Sequence, residues 1–235
     1  MITIKNLHKN FGKLKVLDGL NMSTFGEGIF AVLGPNGSGK TTLIKCILGM
    51  VIPNSGSVKL NNEEIIGKWV YRQKISYMPQ IANFPPNLRV AELIEMIKTL
   101  RPQQTKETEL IKLFDLEDSL NKKLATLSGG TKQKVNIVLT FMFDSPIIIL
   151  DEPTTGLDPL ALIELKKLII TEKTKNKTII ITSHIMSFIE EISDEIVFLL
   201  EGNVFFNGTI ESLKEETNEE NLEHAIANII QKSND

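Results

Sequence analysis

Cysteine is scarce in this sequence, and no leader-like segment begins it. Cys46 is the single cysteine among 235 residues, so no internal disulfide can form. The residues after Met1 lack the cationic, apolar and small-residue regions that direct a chain to secretion. Both absences argue against a disulfide-stabilised secreted scaffold and predict a protein of the reducing cytosol.

Long apolar runs are missing as well. The longest, such as residues 147–150 and 196–200, fall far short of the roughly 20 residues that a helix needs to cross a bilayer. We therefore expect no membrane-spanning segment. Any role at a membrane would require a separate spanning partner.

The sequence has no excess of positive charge. It contains 26 Lys and Arg against 29 Asp and Glu, a formal charge of -3, so no global basic field favours a nucleic-acid backbone as partner. Residues 211–235 hold seven acidic and two basic residues, a charge of -5, which leaves +2 for the rest of the chain. The acidic excess is thus confined to the C-terminal tail.

Short β-branched and apolar runs recur along the chain and predict strands. Several are apolar throughout, which is typical of strands covered on both faces, and helical patterns separate them. The runs lie at residues 2–4, 29–33, 75–78, 147–150, 178–182, 196–200 and 204–206. This arrangement predicts an α/β core sheet with parallel strands.

Two stretches carry helical periodicity instead. Between residue 79 and about residue 126, apolar residues at 90, 93, 94 and 97 and again at 110, 113 and 114 follow helix spacing, which predicts a helical insertion. In the acidic tail, apolar residues at 222, 226, 229 and 230 form one stripe. That stripe predicts a terminal amphipathic helix.

A glycine-rich loop joins a predicted strand to a predicted helix. It reads Gly34-Pro35-Asn36-Gly37-Ser38-Gly39-Lys40-Thr41-Thr42 and satisfies the phosphate-loop pattern in its strand–loop–helix setting. Glycines let successive backbone N–H groups turn toward phosphate oxygens, and the helix N-terminus adds a positive dipole end. Lys40 is suited to bridge the β- and γ-phosphates, and Thr41 to offer its hydroxyl to Mg²⁺. The alternative is a glycine-rich turn that caps an ordinary helix.

A second candidate site follows the apolar run at residues 147–150. Asp151 and Glu152 end this run and so place carboxylates at the carboxyl edge of the sheet, where ligands of α/β proteins bind. Asp151 would orient the Mg²⁺ water shell, and Glu152 would polarise an attacking water as general base. Taken alone, two acids at a strand end are more often solvated than catalytic. In a chain that also has a phosphate loop, the catalytic interpretation of the two acids is favoured instead.

A second anion-binding helix start lies at Leu127-Ser128-Gly129-Gly130-Thr131, just before an apolar helical stripe. It can also be interpreted as a capping serine with a flexible loop. That reading does not explain why a domain with one nucleotide site carries two such helix starts. The sequence therefore suggests that each chain lends the second start to the nucleotide of another copy.

In their order along the chain these motifs resemble the nucleotide-binding subunits of ATP-binding-cassette (ABC) proteins, from residue 1 to about residue 213. The resemblance implies an α/β P-loop NTPase with a mainly parallel core sheet, an antiparallel β subdomain and an α-helical insertion at about residues 80–140. It implies an ATP-binding domain at residues 1–213 and an acidic helical tail at residues 214–235.

The resemblance also implies a role for each matching residue. Phe11 would stack on adenine, Gln80 would sense Mg²⁺ and the membrane partner, Gly156-Leu157-Asp158 would communicate across a dimer, and His184 would contact the γ-phosphate. The implied catalytic residues are Lys40, Gln80, Glu152 and His184, and the implied Mg²⁺ ligands are Thr41, Gln80 and Asp151. ATP binding would fall to Phe11, the loop from Gly34 to Thr42, Ser128, Gly129, Gly130 and Asp158.

Two departures from the family pattern stand out. Thr131 occupies a position where the family usually has Gln, and Phe11 one where Tyr is commoner. Neither removes a phosphate contact implied by Ser128 and Gly130, although the first could alter turnover or the strength of the interface. We therefore predict an active ATPase that uses ATP and Mg²⁺.

The function implied is that of a motor subunit. Two copies, or one copy and a paralogue, would close head to tail around two Mg-ATP and drive a separate integral membrane permease. The subunit would then lie in the cytoplasm, peripherally on the cytoplasmic face of the cell membrane. No nucleic-acid partner is expected.

An alternative from another class is a soluble ABC ATPase that assembles cofactors or protein complexes without transport. Residues 75–90 and 128–159 also resemble NosF-type ATPases, which serve nitrous-oxide-reductase maturation, a copper-site assembly process. The sequence contains no copper-ligand cluster. A copper-related specificity would therefore belong to partners.

Overall fold

The computed structural model describes residues 1–24, 26–101 and 103–233, and within these ranges it has ten strands and eight α-helices. The strands are β1 (Ile2–Phe11), β2 (Leu14–Ser23), β3 (Gly28–Leu33), β4 (Ser55–Leu60), β5 (Glu63–Glu64), β6 (Ile75–Met78), β7 (Ile147–Asp151), β8 (Thr178–Thr182), β9 (Glu195–Leu200) and β10 (Asn203–Gly208). The helices are α1 (Lys40–Ile47), α2 (Val90–Leu100), α3 (Glu107–Leu113), α4 (Gly129–Phe141), α5 (Pro159–Lys173), α6 (Met186–Ile192), α7 (Ile210–Thr217) and α8 (Leu222–Ser233). Short 3₁₀ helices lie at Val70–Lys74, Glu117–Ser119 and Leu124–Thr126.

The chain divides into two compact units. The first unit is Met1–Arg72 with Thr178–Asp235, and the second unit is Gln73–Lys177. Nowhere in the ranges that the structure describes is a helix long and apolar enough to span a membrane.

Parallel strands form the core of the first unit. β3 pairs in parallel with β8 on one side and with β9 on the other, and β10 pairs antiparallel with β9. Every residue of β3 and β8 is buried, as expected for strands whose apolar runs do not alternate. The predicted α/β fold with a mainly parallel core is confirmed.

The first unit also contains an antiparallel sheet with the strand order β2-β1-β4-β5. Its strands alternate between buried and exposed positions: Ile2 and Ile4 are buried, for example, and Lys5 is exposed. β2 and β4 were not predicted from apolar runs because polar residues interrupt both strands. This sheet confirms the antiparallel subdomain that the family resemblance implied.

Among its described residues, the second unit has two parallel strands, β6 and β7, and four α-helices, α2 to α5. β6 pairs with β7 in the register Ile75↔Ile147 to Met78↔Leu150. Helices α2 and α3 cover the two sets of helical spacing predicted within residues 79–126, at residues 90–97 and 110–114. Both helices pack against α4. The buried face of α2 is formed by Val90, Leu93 and Ile94, as the i, i+3, i+4 spacing predicts.

Two helices follow β10 in the first unit. Thr209 caps α7 by accepting a hydrogen bond from the Ser212 N–H at 3.1 Å. The terminal helix α8 contacts α6 and α7, and its residues Leu222, Ala225 and Ile226 are buried. The predicted amphipathic helix is therefore present, with part of its apolar stripe packed on the chain itself. Asn234 and Asp235 lie outside the described residues.

Candidate functional site

The glycine-rich loop runs from the end of β3 to the start of α1. Gly34 has φ +146°, and a Cβ there would lie 2.1 Å from the Leu199 carbonyl oxygen. Gly39 has φ +103°, and its Cβ would lie 2.8 Å from the Val16 carbonyl oxygen. L side chains rarely adopt these φ values, so both positions require glycine. The backbone path of the loop is thus fixed by residues that have no side chain.

Lys40 and Ser38 give this loop its chemistry. Lys40 is 9% exposed, and its Nζ donates to the carbonyl oxygens of Gly34 at 2.7 Å and Pro35 at 3.0 Å. The buried Ser38 Oγ finds no hydrogen-bond partner among the described residues, which is unusual for a buried hydroxyl. Thr41 and Thr42 are half-buried in the first turn of α1, where backbone N–H groups lack intrahelical acceptors.

These groups fit a phosphate ligand. The donors are an ammonium group, three hydroxyls and a helix N-terminus, all of which suit an anion with several oxygens. The loop therefore has the donor set that the sequence predicts for nucleotide phosphates.

His184 lies at the same sheet edge as this loop. In the parallel pair β3–β8, Val32 is opposite Thr182. Gly34 lies two residues after Val32, and His184 lies two residues after Thr182. Ser183 is fully buried, and its Oγ accepts the Ile185 N–H at 3.1 Å, while His184 itself is exposed. The exposed imidazole is thus carried on a well-fixed turn.

Phe11, the residue predicted to stack on adenine, ends β1 in the first unit. Its side chain is 51% exposed, and the Lys9 Nζ lies 4.8 Å from the ring centroid. A half-exposed ring has an apolar surface available for stacking. The first unit therefore holds Phe11, the loop and His184.

The other predicted residues belong to the second unit, where Asp151 ends β7. Asp151 is 2% exposed. The Tyr77 hydroxyl hydrogen-bonds to its carboxylate. Burial, and after it the negative charge of Asp151, raises the pKa of Tyr77 to about 12. The phenol therefore stays protonated and donates to Asp151.

Sequence analysis missed Tyr77. The signal that could have found it is the parallel pairing of β6 and β7, which places Tyr77 opposite Ile149, two residues before Asp151. A strand neighbour of a functional acid is a candidate partner for it. The pairing itself follows from the fold and not from a local motif.

Glu152 lies in a left-handed backbone conformation, with φ +51°, and is 7% exposed. Such a conformation is uncommon for a residue other than glycine, and strained residues of this kind cluster at functional sites. Downstream, the Thr155 N–H donates to the Glu152 carbonyl oxygen at 3.3 Å. The predicted general base is thus placed by a tight turn directly after a buried strand.

The loop around Ser128 starts α4 in the same unit. Ser128 is the N-cap, accepting the Thr131 N–H at 3.2 Å, and its Oγ lies 2.8 Å from the Thr131 Oγ1. Ser128 and Gly129 are exposed. A Cβ on Gly130 would lie 2.7 Å from the Gly156 carbonyl oxygen, so this loop touches the one that contains Asp158.

Asp158 is the N-cap of α5. One carboxylate oxygen accepts the Ala161 N–H at 2.9 Å, and the other lies 2.9 Å from the Lys134 Nζ. The hydrogen bond from Ala161 and then the one from Lys134 lower the pKa of Asp158. Asp158 therefore remains ionised, and Lys134 links it to α4.

Gln80 follows β6 and Pro79 and is exposed. Asn136 of α4 donates from Nδ2 to the Pro79 carbonyl oxygen at 3.0 Å. Gln133 of the same helix donates from Nε2 to the Pro153 carbonyl oxygen at 3.1 Å. Sequence analysis also missed these two residues, because both lie in the helical pattern that predicts only α4.

Mg²⁺ is the metal that the sequence predicts, and it binds through one or two protein oxygens, water and phosphate. Of the predicted ligands, Thr41 belongs to the first unit and carries a hydroxyl, and Asp151 and Gln80 belong to the second unit and carry a carboxylate and an amide oxygen. Within the described residues there is no cluster of three or more His, Cys, Asp or Glu side chains that could hold a metal ion.

Comparisons with known proteins point to one protein family. The profile of the ABC transporter family matches residues 17–155. The chain is 32% identical over 234 residues to the lantibiotic transport ATP-binding protein SrtF of Streptococcus pyogenes, an alignment that covers 98% of this chain and 97% of SrtF.

Solved structures show the same likeness. The structure of an ATP binding subunit of an ABC transporter matches with a TM-score of 0.90 and 28% identity, covering 98% of this chain and 99% of that one. A dimeric post-hydrolysis state of the ATP-binding cassette MJ0796, bound to ADP and Pi, matches with a TM-score of 0.78 and 26% identity, covering 89% of this chain and 98% of that one. From the family match, the relative and these structures together, the chain belongs to the ABC transporter family and is one of its ATP-hydrolysing, ATP-binding subunits.

Proposed function

We propose that this chain is the motor subunit of an ABC transporter, in which two copies close head to tail around two Mg-ATP and drive a separate membrane subunit. The observation that carries the proposal is the loop from Gly34 to Thr42, with its buried Ser38 hydroxyl and the Lys40 ammonium folded onto it. The likeness to a lantibiotic transport ATP-binding protein supports transport, and the dimeric cassette supports assembly in pairs.

Each predicted site residue of the first unit has a role in this proposal. Lys40 would leave the loop carbonyl oxygens to hold the β- and γ-phosphates, because a phosphate is a stronger acceptor for an ammonium group than a carbonyl oxygen. Phe11 would stack on adenine, and His184 would donate to the γ-phosphate. The phosphates would be surrounded by the rest of the loop: Gly34, Pro35, Asn36, Gly37, Ser38, Gly39 and Thr42.

In the second unit Glu152 would act as the general base. A carboxylate removes a proton from the attacking water, and such catalysis typically contributes about 10²- to 10⁴-fold to the rate. Its left-handed backbone conformation sets the direction in which its side chain leaves the backbone. Mg²⁺, held by Thr41, Asp151 and Gln80, would supply positive charge next to the phosphates when bound.

Ser128, Gly129, Gly130 and Asp158 would act across the interface between copies. Ser128 and Gly129 are exposed at the start of α4, where backbone N–H groups and the helix dipole favour an anion. The γ-phosphate of the other copy would receive charge-assisted hydrogen bonds here, each worth about 1.5 to 3 kcal/mol. Two such sites would bias the pair toward the closed state.

Gln80 and the helical insertion at about residues 80–140 would transmit closure to the membrane subunit. In this proposal residues 1–213 form the ATP-binding domain, residues 214–235 form the acidic tail, and the subunit lies peripherally on the cytoplasmic face of the membrane. A role in maturation of a copper enzyme, as in NosF-type ATPases, remains a prediction that rests on sequence resemblance alone.

The test is to tag the Glu152→Gln variant, express it in its native host, trap it with ATP and identify what copurifies from gently solubilised membranes. We expect one integral membrane protein at equal stoichiometry. Recovery from the soluble fraction alone would favour the other candidate, an ABC ATPase that assembles cofactors or protein complexes without transport. That outcome would also remove the coupling role of Gln80.

A further inference from the structure

Helix α4 carries two buried carboxamide side chains, Gln133 and Asn136, which are 5% and 3% exposed. They are three residues apart and so lie on one face of the helix. Their neighbours Val135, Ile137 and Val138 are apolar and buried. Because burying an amide without a hydrogen bond is costly, the partners of these side chains are informative. We call Gln133 and Asn136 the carboxamide pair.

Both members of the pair donate to the carbonyl oxygen of a proline. Asn136 Nδ2 reaches Pro79 at 3.0 Å, and Gln133 Nε2 reaches Pro153 at 3.1 Å. Each proline lies beside a predicted catalytic residue: Pro79 directly precedes Gln80, and Pro153 directly follows Glu152. One face of α4 therefore binds the backbone beside Gln80 and the backbone beside Glu152.

The planarity of the peptide bond makes this contact specific. The carbonyl group of Pro79 and the N–H of Gln80 belong to one rigid peptide plane, so the Asn136 hydrogen bond orients the peptide that begins Gln80. The Gln133 hydrogen bond orients the peptide plane that follows Pro153 in the same way. That plane joins Pro153 to Thr154 and so begins one residue after Glu152, whose backbone conformation lies in the left-handed region.

Another buried polar residue of α4 provides the contrast. Thr140 is 3% exposed, and its hydroxyl donates to the Asn136 carbonyl oxygen of its own helix at 2.8 Å. That hydrogen bond satisfies a buried group and connects nothing beyond the helix. The carboxamide pair instead connects α4 to two segments that are distant in sequence.

We propose that Gln133 and Asn136 are positioning residues that couple Ser128, at the start of α4, to the Gln80 and Glu152 segments. The inference rests on the proposed function, in which Ser128 contacts the nucleotide of a second copy. A shift of α4 when that nucleotide binds is then passed to the backbone beside Gln80 and Glu152. Occupancy of one site thereby sets the hydrolytic geometry of the other.

The experiment compares Asn136→Leu and Gln133→Met, which keep side-chain size and remove the donor, with Thr140→Val as the matched control. For the purified full-length chain we would measure kcat, KM for ATP and the thermal midpoint. In the Glu152→Gln background we would measure the ATP concentration that traps the dimer. We expect kcat to fall about tenfold or more in both test variants, since small misplacements far from the chemistry have such effects.

Two readouts separate positioning from a loss of structure. ATP binding by the monomer should stay within about twofold of wild type in all three variants, because the loss falls on kcat and not on binding. Trapping of the dimer should need about tenfold more ATP in the test variants only. If Asn136→Leu fails to fold, Gln133→Met is judged by the same measurements.

The outcomes distinguish this inference from the proposed function. A wild-type chain that hydrolyses ATP, with kcat of both test variants equal to that of Thr140→Val, would overturn the coupling role alone. A wild-type chain that binds no ATP would overturn the proposed function and the coupling role with it. Reduced kcat with unchanged monomer binding and a normal Thr140→Val variant supports the proposal.

Discussion

The loop of the first unit and the segments around α4 in the second unit are built by different means. The loop is shaped by its backbone, since Gly34 and Gly39 have positive φ values and no room for a Cβ. The segments around α4 are held by side chains, since Gln133, Lys134 and Asn136 each bond to a different one. The difference teaches that the loop assigned to binding depends on positions where no side chain fits, whereas the segments assigned to turnover depend on side-chain hydrogen bonds and an ion pair from α4.

Replacing Glu152 by Gln tests whether binding and turnover separate in this way. We expect steady-state ATP hydrolysis to fall by about 10²- to 10⁴-fold, because the amide cannot take the proton from water. ATP binding, assigned to the loop of the first unit, should persist. Phosphate release and equilibrium nucleotide binding, measured on the same preparation, check both statements. Near-normal hydrolysis would remove Glu152 from the role of base.

The matched control for this variant is Glu164→Gln. Glu164 lies in α5 of the same unit. Its Oε1 is 2.8 Å from the Nζ of the exposed Lys167. Its ion pair with Lys167 involves none of the predicted site residues. A similar loss of hydrolysis in both variants would mean that the effect is not specific to Glu152.

A buried charge cluster shows most clearly how side chains hold the second unit. Glu172 is 1% exposed and hydrogen-bonds to Lys106, Lys175 and Lys177. Burial by itself would raise the pKa of Glu172, but the hydrogen bonds from the three lysines prevail and lower it to about 2. Relative to its ordinary value of 4.5, this shift favours the folded state at neutral pH, whereas burial lowers the pKa of Lys106 and offsets part of the gain.

Replacing Glu172 by Gln should therefore lower the free energy of unfolding at pH 7 by about 3 kcal/mol, since Lys106, Lys175 and Lys177 lose a shared buried carboxylate. Lys177 also pairs with Asp144, which compensates part of its charge. A carboxyl with a lowered pKa stabilises the fold above pH 4.5 and loses that effect as the pH falls toward 2. The wild-type advantage should shrink across this window. Urea unfolding at several pH values measures it, and an advantage independent of pH would contradict the charge argument.

Substitutions at two glycines test whether the backbone shapes the loop of the first unit. Gly39→Ala places a Cβ 2.8 Å from the Val16 carbonyl oxygen, whereas a Cβ on Gly37 meets nothing within 4 Å. Both have positive φ, and strain alone costs about 1 to 2 kcal/mol. Gly37→Ala should weaken ATP binding by about 5- to 30-fold, which is this strain expressed as a ratio of equilibrium constants, and Gly39→Ala by more. Equal losses in a nucleotide titration would show that the close contact does not matter.

The sequence predicted the local motifs of both units better than the contacts between distant residues, for a physical reason. The loop, the Asp151–Glu152 pair and Ser128 are local patterns whose chemistry is visible in consecutive residues. Asn136 and Pro79 are 57 positions apart, and Tyr77 meets Asp151 only because β6 pairs with β7. β2 and β4 were missed because half-exposed strands carry polar residues. Contacts that the fold creates have no local signature.

The smallest effect is expected where α4 meets Asp158. Lys134 pairs with Asp158 at 2.9 Å, but the Asp158 side chain is 51% exposed, and pairs of this kind contribute at most about 1 kcal/mol. Lys134→Met removes the charge and keeps the length, and Asp158→Asn keeps the N-cap of α5, since Asn also caps well. A double-mutant cycle of thermal unfolding isolates the pair. A coupling energy below about 1 kcal/mol is expected. A value of several kcal/mol would make this contact as strong as the loss expected for the buried Glu172 cluster, and it would contradict the argument that the exposure of Asp158 weakens the pair.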